Sequence, residues 1–117
     1  MEVAVSGPGA FAVSVVGVAQ YQRVLERAAE AGSIVEAVLL REDDNPHDAE
    51  AIAVHVNGAR AGYLSRADAR RFRADLAAAG DATLSVRVKA KIVGGFETES
   101  GERAHLGLKL DLPKLSA

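Results

Sequence analysis

The sequence predicts one α+β domain that is mainly β, with short strands curling into a small twisted barrel and two helices packed against it. Six segments alternate apolar and polar residues with period two, and two segments between them repeat at helical spacing. Turn residues separate the segments, and no run of βαβ units occurs. A chain of 117 residues is long enough for one core and too short for two. The predicted order is β-α-β-β-β-α-β-β.

The N-terminal third predicts an arm, a strand and a helix. Residues 1–10 contain a Gly-Pro-Gly run and are predicted to be a flexible arm before a single domain at 11–112. Residues 11–18 alternate and predict a strand, in which Gly17 indicates a bend or a close backbone approach. Residues 20–31 predict a helix that Gly32 ends. Its apolar stripe comprises Tyr21, Val24, Leu25 and Ala28.

Three strands follow, at 33–41, 51–56 and 59–64. The last two are joined by Asn57-Gly58, which is the strongest short-range signal for a two-residue hairpin. Between the first two lies a polar loop, in which Pro46 fixes its own backbone and keeps Asn45 out of the helical region. Asn45 and Asp48 can each bond nearby backbone through a short side chain, so the sequence predicts a rigid loop between two strands, followed by a tight hairpin.

The C-terminal part predicts a capped helix and a strand pair. Ser65 caps a helix that runs to about Ala79 and is ended by Gly80, with Asp68 at the capping-box position. Its buried stripe comprises Ala69, Phe72, Leu76 and Ala79. Residues 83–93 alternate into a long strand with one basic face, and 94–101 form a loop. Residues 103–112 form the last strand, followed by a tail at 113–117.

Composition excludes several classes of protein. The chain is 49% hydrophobic and 26% charged, which is ordinary for a folded domain. It has no cysteine, hence no disulfide or thiolate site, and no apolar run of membrane-spanning length. It also lacks the features of a signal peptide, so we expect a cytoplasmic protein.

The charge is small overall and unevenly placed. A net charge of −2 gives no surplus for general polyanion binding. Acids crowd residues 42–50, and arginines crowd residues 60–73. Any nucleic-acid contact is therefore expected in a local pocket, and the alternative is that the arginines form a solvated helix face.

The sequence carries no recognisable catalytic motif. There is no phosphate-binding loop, no paired-histidine zinc spacing and no glycine that makes the acidic loop a calcium loop. Ser65 is better used as a helix cap than as a nucleophile. We expect no enzyme activity, no cofactor and no metal, and a carboxylate-dependent nuclease is the least favoured alternative.

Four segments together resemble the HIRAN domain, over roughly residues 11–95. They are the acidic loop with Asn45-Pro46-His47-Asp48, the Ala51-Ile-Ala-Val strand, the Gly62-Tyr-Leu segment, and Val16-Gly17 followed by Tyr21. The resemblance is to stand-alone members of bacterial type. It implies an OB-like or SH3-like barrel that binds DNA, in which the best-understood members capture the 3′ end of single-stranded DNA.

The resemblance implies a set of DNA-binding residues. Asp48 matches the aspartate that receives the 3′-hydroxyl, Asn45 the asparagine that contacts a base, and His47 the position of a stacking tyrosine. The other positions are Gln20 and Tyr21 in the first motif, Tyr63 near the phosphates, and Arg66 near a basic phosphate contact.

The residues leave other interpretations open. Tyr21 also fits the helix stripe, and Asp48 also fits a turn cap. Ala19, Gln20 and His47 depart from the family pattern, which favours the alternative of a protein-interaction domain without DNA affinity. As a DNA-binding module, the chain is expected to act in repair or replication beside a separately encoded helicase, translocase or nuclease.

Overall fold

The computed structural model describes residues 2–78, 80, 85–94 and 105–112. Within these residues the chain forms seven strands, one short 3₁₀ turn and two α-helices. In chain order they are β1 (Glu2–Ala4), β2 (Val13–Ser14), the 3₁₀ turn (Val18–Tyr21), α1 (Gln22–Ala29), β3 (Ile34–Glu42), β4 (Ala51–Val56), β5 (Ala59–Tyr63), α2 (Arg66–Ala78), β6 (Ser85–Gly94) and β7 (Leu106–Leu110).

The strands form one curled sheet. Its order is β2-β7-β6-β3-β4-β5, with antiparallel pairing throughout, and β1 adds to β6 in parallel. The two ends of this order meet, because Val16 and Tyr63 form an antiparallel bridge with N···O distances of 2.8 and 2.9 Å. The fold is an antiparallel half-barrel with two helices, which confirms the predicted fold class.

The core lies inside the curl of the sheet. In β6 the residues alternate strictly, so that Val86, Val88, Ala90 and Ile92 are buried while the charged residues between them are exposed. The largest fully buried side chains come from α1 and four strands: Leu25, Leu39, Ile52, Val54, Val56, Val88, Leu108 and Leu110. Period-two patterning therefore separates a dry inner face from a charged outer face.

The helices are fixed at identifiable residues. In α1, Leu25 and Ala28 are buried, and the Gln22 side chain bonds both backbone groups of Leu106 at 2.8 and 2.9 Å, which ties α1 to β7. In α2, Ser65 Oγ accepts from the Asp68 N–H at 3.1 Å, so the predicted cap is present. The predicted α2 stripe is buried at Ala69, Phe72 and Leu76.

The hairpin between β4 and β5 has the predicted turn. Asn57 and Gly58 have φ values of 54° and 78°, and two successive positive φ angles define the type I′ turn that matches strand twist. Gly17 has φ 75° with no neighbour within 4 Å of a Cβ, so it makes a bend rather than a close approach.

The N-terminal region differs from its prediction. Residues 1–10 were predicted as an arm without regular structure, whereas Glu2–Ala4 form β1 against β6 and Gly9 N–H donates to Asp111 at 2.9 Å. The strand predicted over 11–18 is shorter, because Phe11 has φ 47°, which strand geometry does not allow. After pairing with β7, this segment leaves that strand and bridges to Tyr63 instead.

Helix and strand ends elsewhere lie within a few residues of their predictions. The helix predicted over 20–31 begins as a 3₁₀ turn and is α-helical only over Gln22–Ala29. The predictions for Ala79, residues 83–84, the loop at 95–101, the start of the last strand and the tail at 113–117 lie outside the described residues. No helix in the described part of the chain is long and apolar enough to cross a membrane.

Candidate functional site

An open cleft of about 470 Å³ lies where the two ends of the half-barrel meet. The bridge between Val16 and Tyr63 forms its floor, the 3₁₀ turn forms one wall, and the loop between β3 and β4 forms the other. Ten residues line it: Val16, Gln20, Tyr21, Asn45, His47, Asp48, Ala51, Tyr63, Leu64 and Arg66. All seven residues predicted from sequence as a binding site are among them.

The loop that forms the second wall is organised by Asn45. Its Oδ1 accepts from the backbone N–H groups of His47 and Asp48 at 2.8 and 3.1 Å, which makes an Asx turn around Pro46. Asp48 continues the pattern, since its Oδ1 accepts from the Glu50 N–H at 2.9 Å. The loop therefore holds its shape through its own side chains, as predicted.

The second oxygen of Asp48 points toward a cation. Arg66 Nε lies 3.9 Å from Asp48 Oδ2, and the Asp48 side chain is 18% exposed while that of Arg66 is 69% exposed. Arg66 Nη2 also reaches the His47 carbonyl at 3.5 Å. The cleft thus presents a partly sheltered carboxylate beside an exposed guanidinium.

Glu42 connects several groups of the cleft, although it was not predicted as a site residue. Its Oε1 accepts from the Tyr63 hydroxyl at 2.9 Å and from Asn45 Nδ2 at 3.0 Å. Its Oε2 pairs with Arg60 Nη2 at 2.5 Å. Arg60 in turn lies 5.5 Å from the Tyr63 ring centroid.

The charge states of this group follow from those contacts. Burial raises the pKa of Glu42, but hydrogen bonds from Asn45 and Tyr63 and the charge of Arg60 outweigh it, so its pKa is lowered from 4.5. Burial and the hydrogen bond to Glu42 raise the pKa of Tyr63 above 10.0. Near neutral pH, Glu42 is an anion and Tyr63 a phenol that donates to it.

The acids of the loop and the arginines that follow in the sequence neutralise one another. Four ion pairs join them: Glu42 with Arg60, Asp43 with Arg73, Asp48 with Arg66, and Glu50 with Arg70, at 2.5, 2.9, 3.9 and 3.8 Å. Arg66 and Arg70 are more than half exposed, as a solvated helix face implies, whereas Arg73 is largely sheltered and attaches the loop to α2.

Arg73 makes the densest of these attachments. Its Nε donates to the Glu50 carbonyl at 2.7 Å, and its Nη2 donates to Asp43 at 2.9 Å and to the Ala51 carbonyl at 3.0 Å. Bonds from Arg73 and Arg41 lower the pKa of Asp43, which keeps this carboxylate ionised. The sequence analysis missed Glu42, Arg60 and Arg73 as site residues. The block of acids followed by a block of arginines in the sequence was the signal that could have identified these three residues.

The cleft offers binding groups rather than reacting groups. Two phenol rings and an imidazole provide planar surfaces, Asp48 provides an acceptor, and Arg66 provides a cation. Among the described residues, no cluster of three or more His, Cys, Asp or Glu side chains is placed to hold a metal ion. Stacking, hydrogen bonding and ion pairing are the interactions this arrangement supplies.

One comparison with known proteins identifies a family. The model of the family described as HIRAN domain matches residues 8–94, which include every residue that lines the cleft. No curated protein and no solved structure matches the chain significantly.

Proposed function

Because the chain belongs to the HIRAN domain family, we propose that it is a DNA-binding module that takes the 3′-hydroxyl end of single-stranded DNA into the cleft. HIRAN domains are generally DNA-binding modules. The observation that carries the proposal is the convergence of Gln20, Tyr21, Asn45, His47, Asp48, Tyr63 and Arg66, from four separate segments, on one cleft.

Each group in the cleft has a role in this proposal. The rings of Tyr21, Tyr63 and His47 give the terminal bases surfaces to stack on, and such stacking contributes about 1–3 kcal/mol per base. Arg66, 69% exposed, supplies a cation to the adjacent phosphate. Asn45 has one amide N–H left for a base, because its other amide N–H donates to Glu42 and its oxygen accepts from the loop backbone.

Asp48 is the residue that reads the end of the strand. A carboxylate has about four acceptor positions, and hydrogen bonding within the loop uses one on Oδ1. The remaining capacity suits the proton of a free 3′-hydroxyl. The same charge repels a 3′-phosphate, so the residue discriminates between ends as well as binding one.

A second candidate is a protein-interaction domain without DNA affinity. Four ion pairs neutralise most of the arginines near the cleft, which leaves little positive charge there for phosphates. Either module would serve a helicase, translocase or nuclease.

The test is an isosteric change at Asp48. Asp48→Asn keeps the oxygen that bonds the Glu50 N–H but removes the charge. Since a hydrogen bond to a charged group contributes about 1.5–3 kcal/mol, we expect about 10- to 150-fold weaker binding of a 3′-hydroxyl oligonucleotide. Fluorescence anisotropy measures the affinity.

Asp44→Asn is the matched control, because Asp44 is an exposed acid of the same loop that does not line the cleft. Both variants should melt within a degree or two of the parent protein. Equal affinity of the two variants for DNA would contradict the role of Asp48. Absence of DNA binding by the parent at low salt would contradict the DNA proposal and favour the protein-interaction domain.

A further inference from the structure

Three of the four lysines of the chain lie together on the outer face of β6 and β7. Lys89 and Lys91 alternate with buried residues along β6, and Lys109 lies on β7 directly opposite Lys91. All three side chains are exposed. We call these three residues the lysine face.

The charges of the lysine face do not stabilise the described part of the fold. Directly opposed like charges on paired strands destabilise a sheet, so the pair of Lys91 and Lys109 costs stability. None of the three lysines has an ion pair with another described residue. The acid across from Lys89, Glu36, has its carboxylate 4.0 Å from Arg87 instead.

The arginines of α2 are in the opposite situation. Arg66, Arg70 and Arg73 each face an acid of the loop, at 2.9 to 3.9 Å. A cation that already has an acidic partner gains less from a phosphate, because binding must first weaken the existing pair. Of the four arginines on α2, only Arg71 has no acidic partner among the described residues, whereas three such cations lie together on β6 and β7.

The lysine face is continuous with the cleft. Val16 lines the cleft, and Ser14 is two residues away on the same exposed side of an extended segment, about 7 Å along the backbone. Ser14 is paired with Lys109, and Lys109 with Lys91, each step crossing one strand spacing of about 4.8 Å. One row across the sheet thus leads from the edge of the cleft to two of the three lysines.

We propose that the lysine face binds the phosphates of the DNA strand as it leaves the cleft past Val16. This inference rests on the proposed function and extends it by a second, sequence-independent subsite. The cleft then reads the 3′ terminus, and the lysine face holds the nucleotides that precede it. The occupant is a single-strand phosphate backbone, since lysine side chains offer charge but no surface on which a base can stack.

The proposal predicts a salt dependence. Each phosphate contact on single-stranded DNA contributes about 0.7 to the slope of log affinity against log salt, so three lysines contribute about 2. That amounts to about a hundredfold in affinity at 0.1 M salt compared with 1 M salt. An oligonucleotide too short to reach the lysines does not gain this salt-dependent affinity.

The experiment compares two 3′-hydroxyl oligonucleotides, a trinucleotide and a decanucleotide of the same 3′ sequence. Binding is measured for the parent protein and for a variant with Lys89→Gln, Lys91→Gln and Lys109→Gln. We expect the variant to bind the decanucleotide about a hundredfold more weakly at 0.1 M salt with a shallower salt slope, and to bind the trinucleotide as the parent does. Its melting temperature should be unchanged or higher, since a like-charge pair is removed.

A control variant with Arg23→Gln, Arg27→Gln and Arg71→Gln removes the same number of exposed charges elsewhere. An equal loss in this control, or no loss in the lysine variant, would overturn the lysine face as a subsite while leaving end recognition intact. Failure of the parent to bind either oligonucleotide would overturn the proposed function, and the lysine face with it.

Discussion

Among individual residues, Glu42 has the largest influence on the geometry of the cleft. One carboxylate accepts from Tyr63 and Asn45 and pairs with Arg60, and so links one aromatic wall to the loop. The side chain is only 16% exposed, so these bonds form where water competes weakly. Glu42 therefore fixes ring positions without lining the cleft itself.

The ionisation of Tyr63 reports this contact. Its pKa is raised by burial and by the bond to Glu42, so the protonated phenol is favoured in the folded state. The resulting stabilisation is present below pH 10 and is lost as pH rises through the folded pKa. NMR titration with ¹³C-labelled tyrosine measures it, because the chain has two tyrosines and no tryptophan. We expect Tyr63 to titrate above 10.0 in the parent, and closer to 10.0 in Glu42→Gln.

The control for that titration is Glu36→Gln, which removes an exposed glutamate on the outer face of β3. It should leave the Tyr63 titration unchanged. A parent Tyr63 that titrates at or below its ordinary pKa, or a Glu42→Gln variant with the parent's curve, would show that Glu42 does not hold the ring.

The resemblance to the HIRAN domain predicted the membership of the cleft but not its internal bonding. Asn45, Asp48 and Tyr63 were predicted through the motif in which they occur, and all three line the cleft. Glu42 and Arg60 are 18 residues apart in the sequence, and only the register of β3, β4 and β5 brings them together. Pairings of this kind depend on sheet register, which the sequence pattern does not state residue by residue.

At the level of elements, the loop between β3 and β4 and the helix α2 act as one unit. Arg73 crosses from α2 to the loop and bonds the carbonyls of Glu50 and Ala51 as well as Asp43, with only 17% of its side chain exposed. Charge-assisted bonds in a sheltered position are stronger than exposed ion pairs. The helix therefore holds the loop that carries Asp48.

Arg73→Ala should detach the loop. We expect unfolding free energy to fall by about 2 kcal/mol, because several charge-assisted bonds are lost and carbonyls are left without donors. Hydrogen exchange should quicken at the His47, Asp48 and Glu50 amides, which bond loop side chains. Urea unfolding and exchange measured by NMR give the two readouts.

Arg70→Ala is the matched control, since Arg70 makes an exposed pair with Glu50 at 3.8 Å with both side chains more than half exposed. Pairs of this kind contribute about 0–1 kcal/mol. If Arg70→Ala costs as much as Arg73→Ala, or if loop exchange is unaffected by Arg73→Ala, the loop does not depend on α2.

Turn and cap chemistry made most elements predictable. Asn57-Gly58 and Ser65 specify local geometries that tertiary contacts do not override, so β4, β5 and the start of α2 were predicted to within a residue. The short β1 was missed, because three residues are too short a pattern to identify a strand, and they form one only when β6 supplies a partner. The same holds for residues 11–18, whose pairing changes from β7 to β5 within three residues.

At the scale of the whole molecule, the contact that closes the half-barrel also forms the cleft. The bridge between Val16 and Tyr63 joins the ends of the sheet and places an aromatic ring beside the 3₁₀ turn. Gly62 makes this possible, because a Cβ there would lie 2.6 Å from the Val16 carbonyl oxygen and 2.6 Å from a Val15 methyl group. The absence of a side chain at one residue allows the closure.

Gly62→Ala should therefore separate the two ends of the half-barrel at the bridge between Val16 and Tyr63. The added methyl group would lie too close to the backbone and to a buried valine. We therefore expect the unfolding free energy to fall by about 1–3 kcal/mol, and the affinity for DNA to fall by more than the loss of folded protein explains. Gly58→Ala is the control, since a Cβ at Gly58 meets no atom within 4 Å. The Gly58→Ala variant also places a side chain at a positive φ, but it does not disturb the bridge between Val16 and Tyr63. Comparable DNA affinity in the two variants at matched folded fraction would contradict the link between closure and the cleft.

The most direct test of the central claim, that the cleft recognises a 3′-hydroxyl end through Asp48, compares two forms of one oligonucleotide. Fluorescence anisotropy is measured with a short single strand ending in a 3′-hydroxyl and with the same strand ending in a 3′-phosphate. The account predicts clearly tighter binding of the hydroxyl end, because the Asp48 carboxylate accepts from the hydroxyl and repels the phosphate. Equal affinity for the two strands, or binding of neither, would contradict it.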